Sequence, residues 1–354
     1  MRGLILAASL TSPASASPTD EDSLIFLQLE AKTQAAWWNP GLSTRGQPLI
    51  RYRTQGLATY RGEATIGYGG PLFTLGYERP ISPTPIQKDM LAVSEHSDAG
   101  LEKFTFDFDL LSVLKYRFPV LEENRLLRTL LSVEFRYARS RFYGSAEAQR
   151  DFFYLPQDAV VDWGNRTLIG ARKLPAGQRV GFSTTFTEHD ISLSFIEWPH
   201  YAFRMGYFQL AWKRPSDNNY TYTITDGVST LPILYETTYE SNGISLRLQN
   251  KDPARVGLHG DIEMRLGMSN QIQAAIKPPL RPDESLAFFG LNGGAWYVWR
   301  FLGDRQGPFV SIGARADLRS WRVDVKDANG DAVESRPLDA EKLFSGRVGA
   351  GWQF

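Results

Sequence analysis

Cysteine is absent from the sequence of 354 residues. A secreted soluble protein of this length often relies on disulfides, whereas a structure closed by its own strand hydrogen bonds has no need of them. An excess of charge of one sign is missing as well, because 39 basic residues face 39 acidic residues. Nucleic-acid-binding proteins carry a basic excess or stripe, so the balance argues against a nucleic-acid partner.

Long hydrophobic runs are also missing. No apolar run reaches the roughly 18–20 residues that a membrane-spanning helix needs. The one apolar segment of the helical kind, residues 3–10, follows Arg2 and precedes the small residues Ala14-Ser15-Ala16. This order of charged, apolar and small residues predicts a cleaved secretory signal over residues 1–16. The alternative is a disordered N-terminal segment rich in serine and proline.

Aromatic residues, in contrast, are frequent, with 9 Trp, 15 Tyr and 21 Phe. Many of them occupy every second position, as in residues 102–118, where Phe104, Phe106 and Phe108 alternate with polar or charged residues. Successive side chains of a strand point to opposite faces, so the pattern predicts strands with one apolar and one polar face. Residues 57–68, 127–137 and 256–268 show the same alternation.

The length of the alternating segments distinguishes two kinds of β protein. Strands of soluble domains average about 5–6 residues, and a tilted strand needs about 9–11 residues to cross a membrane. Four segments exceed both lengths, namely 102–118, 126–142, 286–301 and 308–324. Strands of this length with an apolar face favour a wall that faces lipid.

Short and long connections alternate along the chain, which is typical of membrane barrels. Short turns are predicted at 69–70, 119–124, 174–178, 198–200 and 303–307, and long polar loops at 79–100, 143–158, 213–230, 278–285 and 326–342. The chain has about sixteen candidate strands, of which 191–198, 244–250 and 271–277 are short enough to merge with neighbours. The fold class we expect is all-β: a single transmembrane antiparallel up-and-down β-barrel with an even number of about 12–16 strands.

The last alternating segment, 343–354, carries a motif. Arg347, Gly349, Trp352 and Phe354 fill a polar, a glycine, an apolar or aromatic and a final aromatic position. The segment resembles the C-terminal β-signal of bacterial outer-membrane β-barrel proteins. An ordinary terminal strand of a soluble sandwich is the alternative.

The resemblance implies a location in the outer membrane of a Gram-negative bacterium and contact with outer-membrane lipid. It also implies that the outer-membrane barrel assembly machinery reads the last strand and uses it to close the barrel, since an unpaired strand edge cannot persist in lipid. Residues 17–23 would then be a short periplasmic segment, and residues 24–354 would form the barrel.

Charged residues at inward-facing positions are the candidates for a functional site. We expect Arg51, Arg53, Arg61 and Glu63 on one side of an early strand, and Asp107 and Asp109 near Arg136 in the hairpin of 102–118 and 126–142. Charges of both signs fit a water-filled pore and equally a closed lumen crossed by ion pairs. Leu111, Val113 and Leu130 interrupt the polar face and favour a partly packed interior or an apolar binding patch. The full set of lumen candidates is Arg51, Arg53, Arg61, Glu63, Asp107, Asp109, Arg136, Arg315, Asp317 and Arg319.

Catalytic and metal-binding patterns are weak. Glu188-His189-Asp190 is predicted to be a tight turn at the extracellular rim, which is a hypothesis for a hydrolase site. However, the sequence lacks both the His-x-Ser pair of outer-membrane phospholipases and the Asp-x-His of omptin-type proteases, so no catalytic residue is assigned. No second His or Cys accompanies His200 or His259 at zinc-ligand spacing. Residues 327–331 begin like a calcium loop, but Leu338 replaces its final Glu. We therefore expect no metal and no cofactor.

The sequence favours a passive channel or transporter for small solutes, in which charged residues along the lumen select by charge and size. A structural or adhesive barrel that binds partners through loops 79–100, 143–158 and 326–342 is the second hypothesis. A hydrolase with its site at the rim is the third.

Overall fold

The structure of the protein is a computed structural model. It describes residues 25–39, 49–52, 55–68, 71–81, 92–93, 99–118, 120–121, 124, 130–156, 160–162, 167–198, 201–216, 223–225, 230–250, 256–269, 272–274, 284–302, 307–326, 332–337 and 340–354. The predicted signal over 1–16 and the segment 17–23 lie outside the described residues, as do Arg53, His200 and residues 327–331.

Almost all of the described secondary structure is β. In chain order the elements are β1 (Ile25–Asn39), β2 (Ile50–Tyr52), β3 (Gln55–Tyr68), β4 (Pro71–Pro80), β5 (Ala92–Val93), β6 (Gly100–Asp109), α1 (Leu110–Arg117), β7 (Ser132–Ala148), β8 (Phe152–Leu155), β9 (Val160–Asp162), β10 (Thr167–Ile169), β11 (Arg172–Leu174), β12 (Arg179–Glu197), β13 (Tyr201–Ser216), β14 (Thr223–Thr225), β15 (Thr230–Asn250), β16 (Gly257–Ser269), β17 (Ile272–Ala274), β18 (Glu284–Arg300), β19 (Gly307–Lys326), β20 (Ala332–Pro337) and β21 (Glu341–Gln353).

Twelve long strands form one closed wall. Each pairs in antiparallel fashion with the next in the order β1, β3, β4, β6, β7, β12, β13, β15, β16, β18, β19 and β21. β21 then pairs with β1 over Gln28–Asn39 and closes the cylinder. The predicted single antiparallel barrel with an even strand number is therefore confirmed.

Exposed and buried side chains alternate along the wall strands, and this alternation shows which face of each strand points outward and which points into the lumen. On β16, Leu258, Ile262 and Leu266 are 72%, 50% and 52% exposed, whereas Glu263 and Arg265 are 2% and 4% exposed. Exposed apolar side chains therefore point outward and charged side chains point into the lumen, because neighbouring residues of a strand face opposite ways. An apolar outer surface around a polar interior is the reverse of a soluble protein and is the arrangement of a barrel that faces lipid.

The two ends of the barrel differ. At one end, where β1 begins and β21 ends, short connections join the wall strands, apart from residues 110–131 between β6 and β7, which include α1. This end is called the short-turn end. The opposite, long-loop end carries the short additional strands. There β2 pairs with β7, β5 with β12, and β8 with both β11 and β15.

Four expectations on strands and turns are refined by the structure. The candidate strands 191–198 and 244–250 are the ends of β12 and β15, and 271–277 contains β17, a short strand outside the wall. The predicted short turn at 174–178 belongs to the connection at the long-loop end between β7 and β12. The count of candidates exceeded twelve because the ends of two wall strands and one additional short strand were counted as separate strands.

The expected long strand over 102–118 is wrong in its second half. β6 ends at Asp109, and Leu110–Arg117 forms α1, which contacts β7 and β4 at the short-turn end. The Asp109 carboxylate accepts hydrogen bonds from the backbone N–H and hydroxyl of Ser112, at 3.1 and 2.9 Å, and so caps the helix. Leu110 and Leu111 are apolar at both strand parities, so alternation stops where the helix begins.

Candidate functional site in the barrel lumen

The structure places most of the predicted lumen residues on the inner face. Arg61 and Glu63 lie on β3, Asp107 and Asp109 on β6, Arg136 on β7, and Arg315, Asp317 and Arg319 on β19. Arg51 is an exception, because it lies in β2, with its backbone opposite Glu147 of β7, and not on one strand with Arg61. Whether these residues select solutes stays a prediction.

A cluster of ion pairs occupies the centre of the lumen around Glu263. The Glu263 carboxylate lies 3.1 Å from Nη1 of Arg136 and 3.0 Å from Nη2 of Arg265, and it accepts a hydrogen bond of 2.8 Å from Nδ2 of Asn292. The expected proximity of Asp107 and Arg136 is present, since the two residues are opposite in register and 3.7 Å apart. Asp109 caps α1 instead and lies opposite Glu134.

Arg247 and Arg204 extend the cluster toward the short-turn end. Arg247 lies 2.5 Å from Glu134 and 3.3 Å from Asp190, and Arg204 lies 3.1 Å from Glu134. All four of these residues are at most 9% exposed. Sequence reasoning missed them as site residues, although their polar positions within alternating segments were a usable signal.

Glu188 and Glu341 extend the cluster toward the long-loop end. Arg265 and Arg319 both contact Glu188, at 2.8 and 3.1 Å. Arg319 also contacts Glu341 at 3.2 Å, and the indole N–H of Trp38 donates to the same carboxylate at 2.7 Å. The chain of ion pairs thus connects β16, β12, β19 and β21 across the lumen.

A second group of pairs lines the wall around β1 and β3. Lys32 lies 3.0 Å from Glu30 and 3.4 Å from Glu63, and Arg61 lies 3.0 Å from Glu63. Arg61 also donates to the hydroxyl of Thr105 at 2.7 Å. Arg61 is therefore bound by its own strand neighbour and does not bridge to Asp107 or Asp109.

The third group of ion pairs is centred on Arg315. Its guanidinium lies 3.2 Å from the carboxylate of Asp261 and 3.2 Å from that of Asp317. The buried and partly buried charges of the three groups are tolerated because they have opposite charges and hydrogen bonds around them. Removing one partner would leave a buried charge uncompensated. The inner wall is therefore held together by mutual neutralisation of its charges.

Aromatic side chains fill the lumen on the long-loop side of the ion pairs. Trp212 stacks between Phe186 and Trp321, with ring centroids 5.1 and 5.4 Å away, and Phe288 lies 4.6 Å from Trp321. Phe186, Trp212, Trp321 and Tyr239 are at most 1% exposed. We call Phe186, Trp212, Tyr239, Phe288 and Trp321 the aromatic layer. It joins the buried Leu49, Phe152 and Tyr154 of the long-loop end in one apolar cluster.

A cavity of about 390 Å³ lies on the other side of the ion pairs. Pro71, Leu72, Phe108, Leu131 and Ala202 line it, and all of them are close to the short turns, so its mouth is at the short-turn end. The charged side chains of its lining comprise eight basic and eight acidic residues: Lys32, Arg61, Lys103, Arg136, Arg204, Arg247, Arg315, Arg347, Glu30, Glu63, Glu78, Asp107, Asp109, Glu134, Asp261 and Glu263.

The hypothesis of a rim site at Glu188-His189-Asp190 is wrong in its geometry. These residues lie in the middle of β12, with His189 outward and its ring 5.0 Å from that of Tyr137. Glu188 and Asp190 point inward and are bound by arginines. The three residues lie inside a strand of 19 residues. Neighbouring side chains of a strand point to opposite faces, so the histidine lies on the other side of the wall from both carboxylates.

His259 is buried and inward-facing, within hydrogen-bond distance of Asn250 at 2.7 Å and stacked on Trp296. Across the residues that the structure describes, no group of three or more His, Cys, Asp and Glu could hold a metal ion. In the same residues, no helix is long and apolar enough to cross a membrane.

The residues of the predicted assembly signal divide between the two faces of β21. Arg347 and Gly349 point into the lumen, and Trp352 and Phe354 are 44% and 58% exposed on the outside. A Cβ atom at Gly349 would lie 2.7 Å from Oε1 of Glu30 and 2.7 Å from Oγ of Ser311. These two atoms hydrogen-bond at 2.9 Å, so the glycine leaves space for a contact at the barrel seam.

No protein-family model and no curated protein matches the chain. Among solved structures, it is similar to the outer membrane protease OmpT of Escherichia coli, with 10% identity and a TM-score of 0.30 over 93% of this chain and 96% of that chain. It is also similar to a Pseudomonas aeruginosa FadL homologue, with 10% identity and a TM-score of 0.30 over 93% and 89%. The chain is likewise similar to OmpT, an outer membrane protein of Vibrio cholerae, with 8% identity and a TM-score of 0.27 over 95% of this chain and 99% of that chain. These likenesses are too distant to assign a function.

Proposed function

We propose that the protein is a β-barrel of a Gram-negative outer membrane that conducts small charged solutes, and that the conformation described here is its closed state. The cavity at the short-turn end carries the proposal, because eight bases and eight acids line a space of about 390 Å³. A purely structural barrel has no need for a charged chamber that is open to one side. In the outer membrane the short-turn end would face the periplasm.

The aromatic layer explains why this lumen differs from that of a general porin. Among the described residues, the stacked side chains of Trp212 and Trp321 are at most 1% exposed, so water hardly reaches them. Hydrophobic constrictions of this kind close channels by excluding water. Passage would therefore require the aromatic layer to move, and conduction at rest would be small.

A reconstitution experiment tests the proposal. In planar bilayers, wild-type protein should show only rare and small openings, whereas Trp212→Ala/Trp321→Ala should conduct steadily because the layer is removed. Trp299→Ala is the matched control, since Trp299 is 45% exposed on the outer face, and it should behave as wild type. The shift of the folded band on heating before electrophoresis would verify that each variant is assembled.

Silence of a well-folded Trp212→Ala/Trp321→Ala variant at all voltages would exclude the channel. That result would favour the hypothesis of a structural or adhesive barrel. One observation favours that second candidate: the connection between β7 and β12 forms β8 and β11, whose residues Phe152, Leu155 and Leu174 are at most 2% exposed. The long-loop end therefore presents a packed surface.

A further inference from the structure

Three arginines lie close together on the outer face of the wall, at the long-loop end of the neighbouring strands β4, β6 and β7. Arg79 of β4 and Arg139 of β7 are exposed, and Arg141 occupies the next outward position of β7. Glu102 of β6 lies opposite Arg141, and the ladder between β4 and β6 ends one residue before Arg79, so Arg79 borders Glu102 from the other side. Neither Arg79 nor Arg139 forms an ion pair with a carboxylate among the residues that the structure describes. We call Arg79, Arg139, Arg141 and Glu102 the arginine patch, in which three bases face one acid.

The neighbouring charges on the outer face leave the positive excess of the arginine patch in place. Farther toward the long loops, Glu147 of β7 lies opposite Arg179 of β12, so these two add no net charge. On the other side, Lys213 of β13 pairs with Glu236 at 2.5 Å. Glu240 of β15 is three strands away from β7, a distance of about 14 Å. The excess of two positive charges is therefore local to β4, β6 and β7.

The arginine patch lies at the level of exposed aromatic side chains. Arg139 is opposite Phe104, which is opposite Tyr77, and these two aromatic residues are 36% and 47% exposed. The ring of Phe104 also lies 6.0 Å from that of Tyr137, the preceding outward residue of β7. Membrane barrels carry such aromatic residues where the hydrocarbon layer meets the lipid headgroups. A guanidinium at this level is stable when its long side chain reaches the polar headgroup region.

We propose that the arginine patch binds the phosphate group of an anionic lipid in the leaflet at the long-loop end. Guanidinium groups match phosphate oxygens with two parallel hydrogen bonds, and a phosphate monoester carries about two negative charges near neutral pH, which the excess of the patch balances. The backbones of Arg79 and Arg141 are two strand spacings apart, about 10 Å, a gap that two arginine side chains can close around one phosphate. Tyr77 and Phe104 would contact the acyl chains. The inference uses the membrane location in the proposed function and does not depend on conduction.

Native mass spectrometry of the full chain folded in detergent micelles tests the arginine patch, with phosphatidic acid as the probe and phosphatidylcholine of the same acyl chains as its neutral counterpart. Wild type should bind phosphatidic acid saturably and phosphatidylcholine much less. Arg79→Gln and Arg139→Gln should each raise the Kd of phosphatidic acid roughly 5-fold, because one basic contact to the anionic headgroup is lost. Glu102→Gln should lower this Kd, because it removes the acid of the patch.

Lys342→Gln is the matched control, because Lys342 is a single exposed base on the outer face of β21 at the same end of the barrel. Its Kd for phosphatidic acid should equal that of wild type. The shift of the folded band on heating would verify that each variant is assembled. Equal binding of phosphatidylcholine, or an unchanged Kd in both Arg79→Gln and Arg139→Gln, would overturn the proposal. Displacement of the lipid by an equal concentration of inorganic phosphate would also overturn it, since the patch would then be a site for a free anion.

Lipid binding is measured without a current through the barrel, so its result is separate from that of the reconstitution experiment. Silent bilayers combined with phosphatidic acid binding that depends on Arg79 and Arg139 would remove the channel and keep the lipid site. Conduction without such binding would keep the channel and remove the lipid site.

Discussion

At the scale of single residues, Glu263 has the largest role in holding the lumen together. Its carboxylate is 2% exposed and pairs with both Arg136 and Arg265, while Arg247 lies 3.7 Å away. Three guanidinium groups therefore share one anion. Loss of that charge would leave them facing one another in a space of low dielectric constant.

We expect Glu263→Gln to lower the free energy of unfolding by about 3–5 kcal/mol, the cost of breaking a buried ion pair. Denaturant unfolding followed by tryptophan fluorescence would measure the change. Glu102→Gln, on the outer face of β6, is the control and should change stability by less than about 0.5 kcal/mol. Equal effects in the two variants would contradict a network centred on Glu263.

Ile262, the neighbour of Glu263, tests the outer face. It is 50% exposed near the middle of β16. Ile262→Arg should cost about 2–4 kcal/mol if the position lies at the bilayer midplane. The same unfolding assay in lipid vesicles measures it, with Ile262→Leu as the control. A tolerated arginine would mean that this face meets water.

A substitution at Thr105 tests the inner face. A water-filled lumen would tolerate arginine at this position, whereas the lumen of this structure should not. Thr105 is 5% exposed and accepts a hydrogen bond from Arg61. Thr105→Arg would place a second guanidinium against Arg61, so we expect the yield of folded barrel to fall. Thr105→Ser keeps the acceptor and should fold normally. Normal folding of both variants would indicate an open, hydrated lumen.

At the scale of elements, α1 shows how a local cap changes a strand. The Asp109 carboxylate caps the helix and also accepts from the backbone N–H of Val133 at 3.3 Å, which ties α1 to β7. Asp109→Ala should lower stability by about 0.5–2 kcal/mol, whereas Asp109→Asn retains an N-cap acceptor and should lose less. Equal loss in both variants would mean that the charge, and not the cap, matters. Thermal unfolding in micelles would separate them.

The β1–β21 seam offers a matched pair of glycines. Gly349 faces Glu30 and Ser311 in the lumen, whereas a Cβ at Gly346, on the outer face, would meet no atom within 4 Å. Gly349→Val should therefore reduce the amount of heat-modifiable protein in the outer-membrane fraction, and Gly346→Val should not. Equal amounts from both variants would argue that the seam does not need the glycine.

At the scale of the whole molecule, the balance of charge in the lumen predicts the selectivity of an opened barrel. Eight bases and eight acids line the cavity, and most are neutralised by one another. Trp212→Ala/Trp321→Ala in a gradient of potassium chloride should therefore give a reversal potential near zero, because opposite fixed charges largely cancel along the path. A strong preference for cations or anions would show that the ions pass along only part of the charged wall.

The sequence by itself determined the faces of the wall and the class of fold. Whether a residue such as Ile262 or Glu263 points outward or inward depends on strand parity, a property of neighbouring residues, and the register of the Asp107–Arg136 contact follows from one hairpin. The sequence did not reveal the helix after Asp109, because Leu110 and Leu114 keep the apolar parity of the preceding strand even though Leu111 breaks the alternation.

The state of the lumen was decided only by the tertiary structure. Glu134 and Arg247 are 113 positions apart, and Trp212 and Trp321 lie on strands that are far apart in the chain. Which inward residues meet depends on the number of strands and on how each is shifted against the next around the closed wall. Periodicity therefore identified residues that face the interior, whereas closure of the barrel decided which of them form ion pairs and which of them stack.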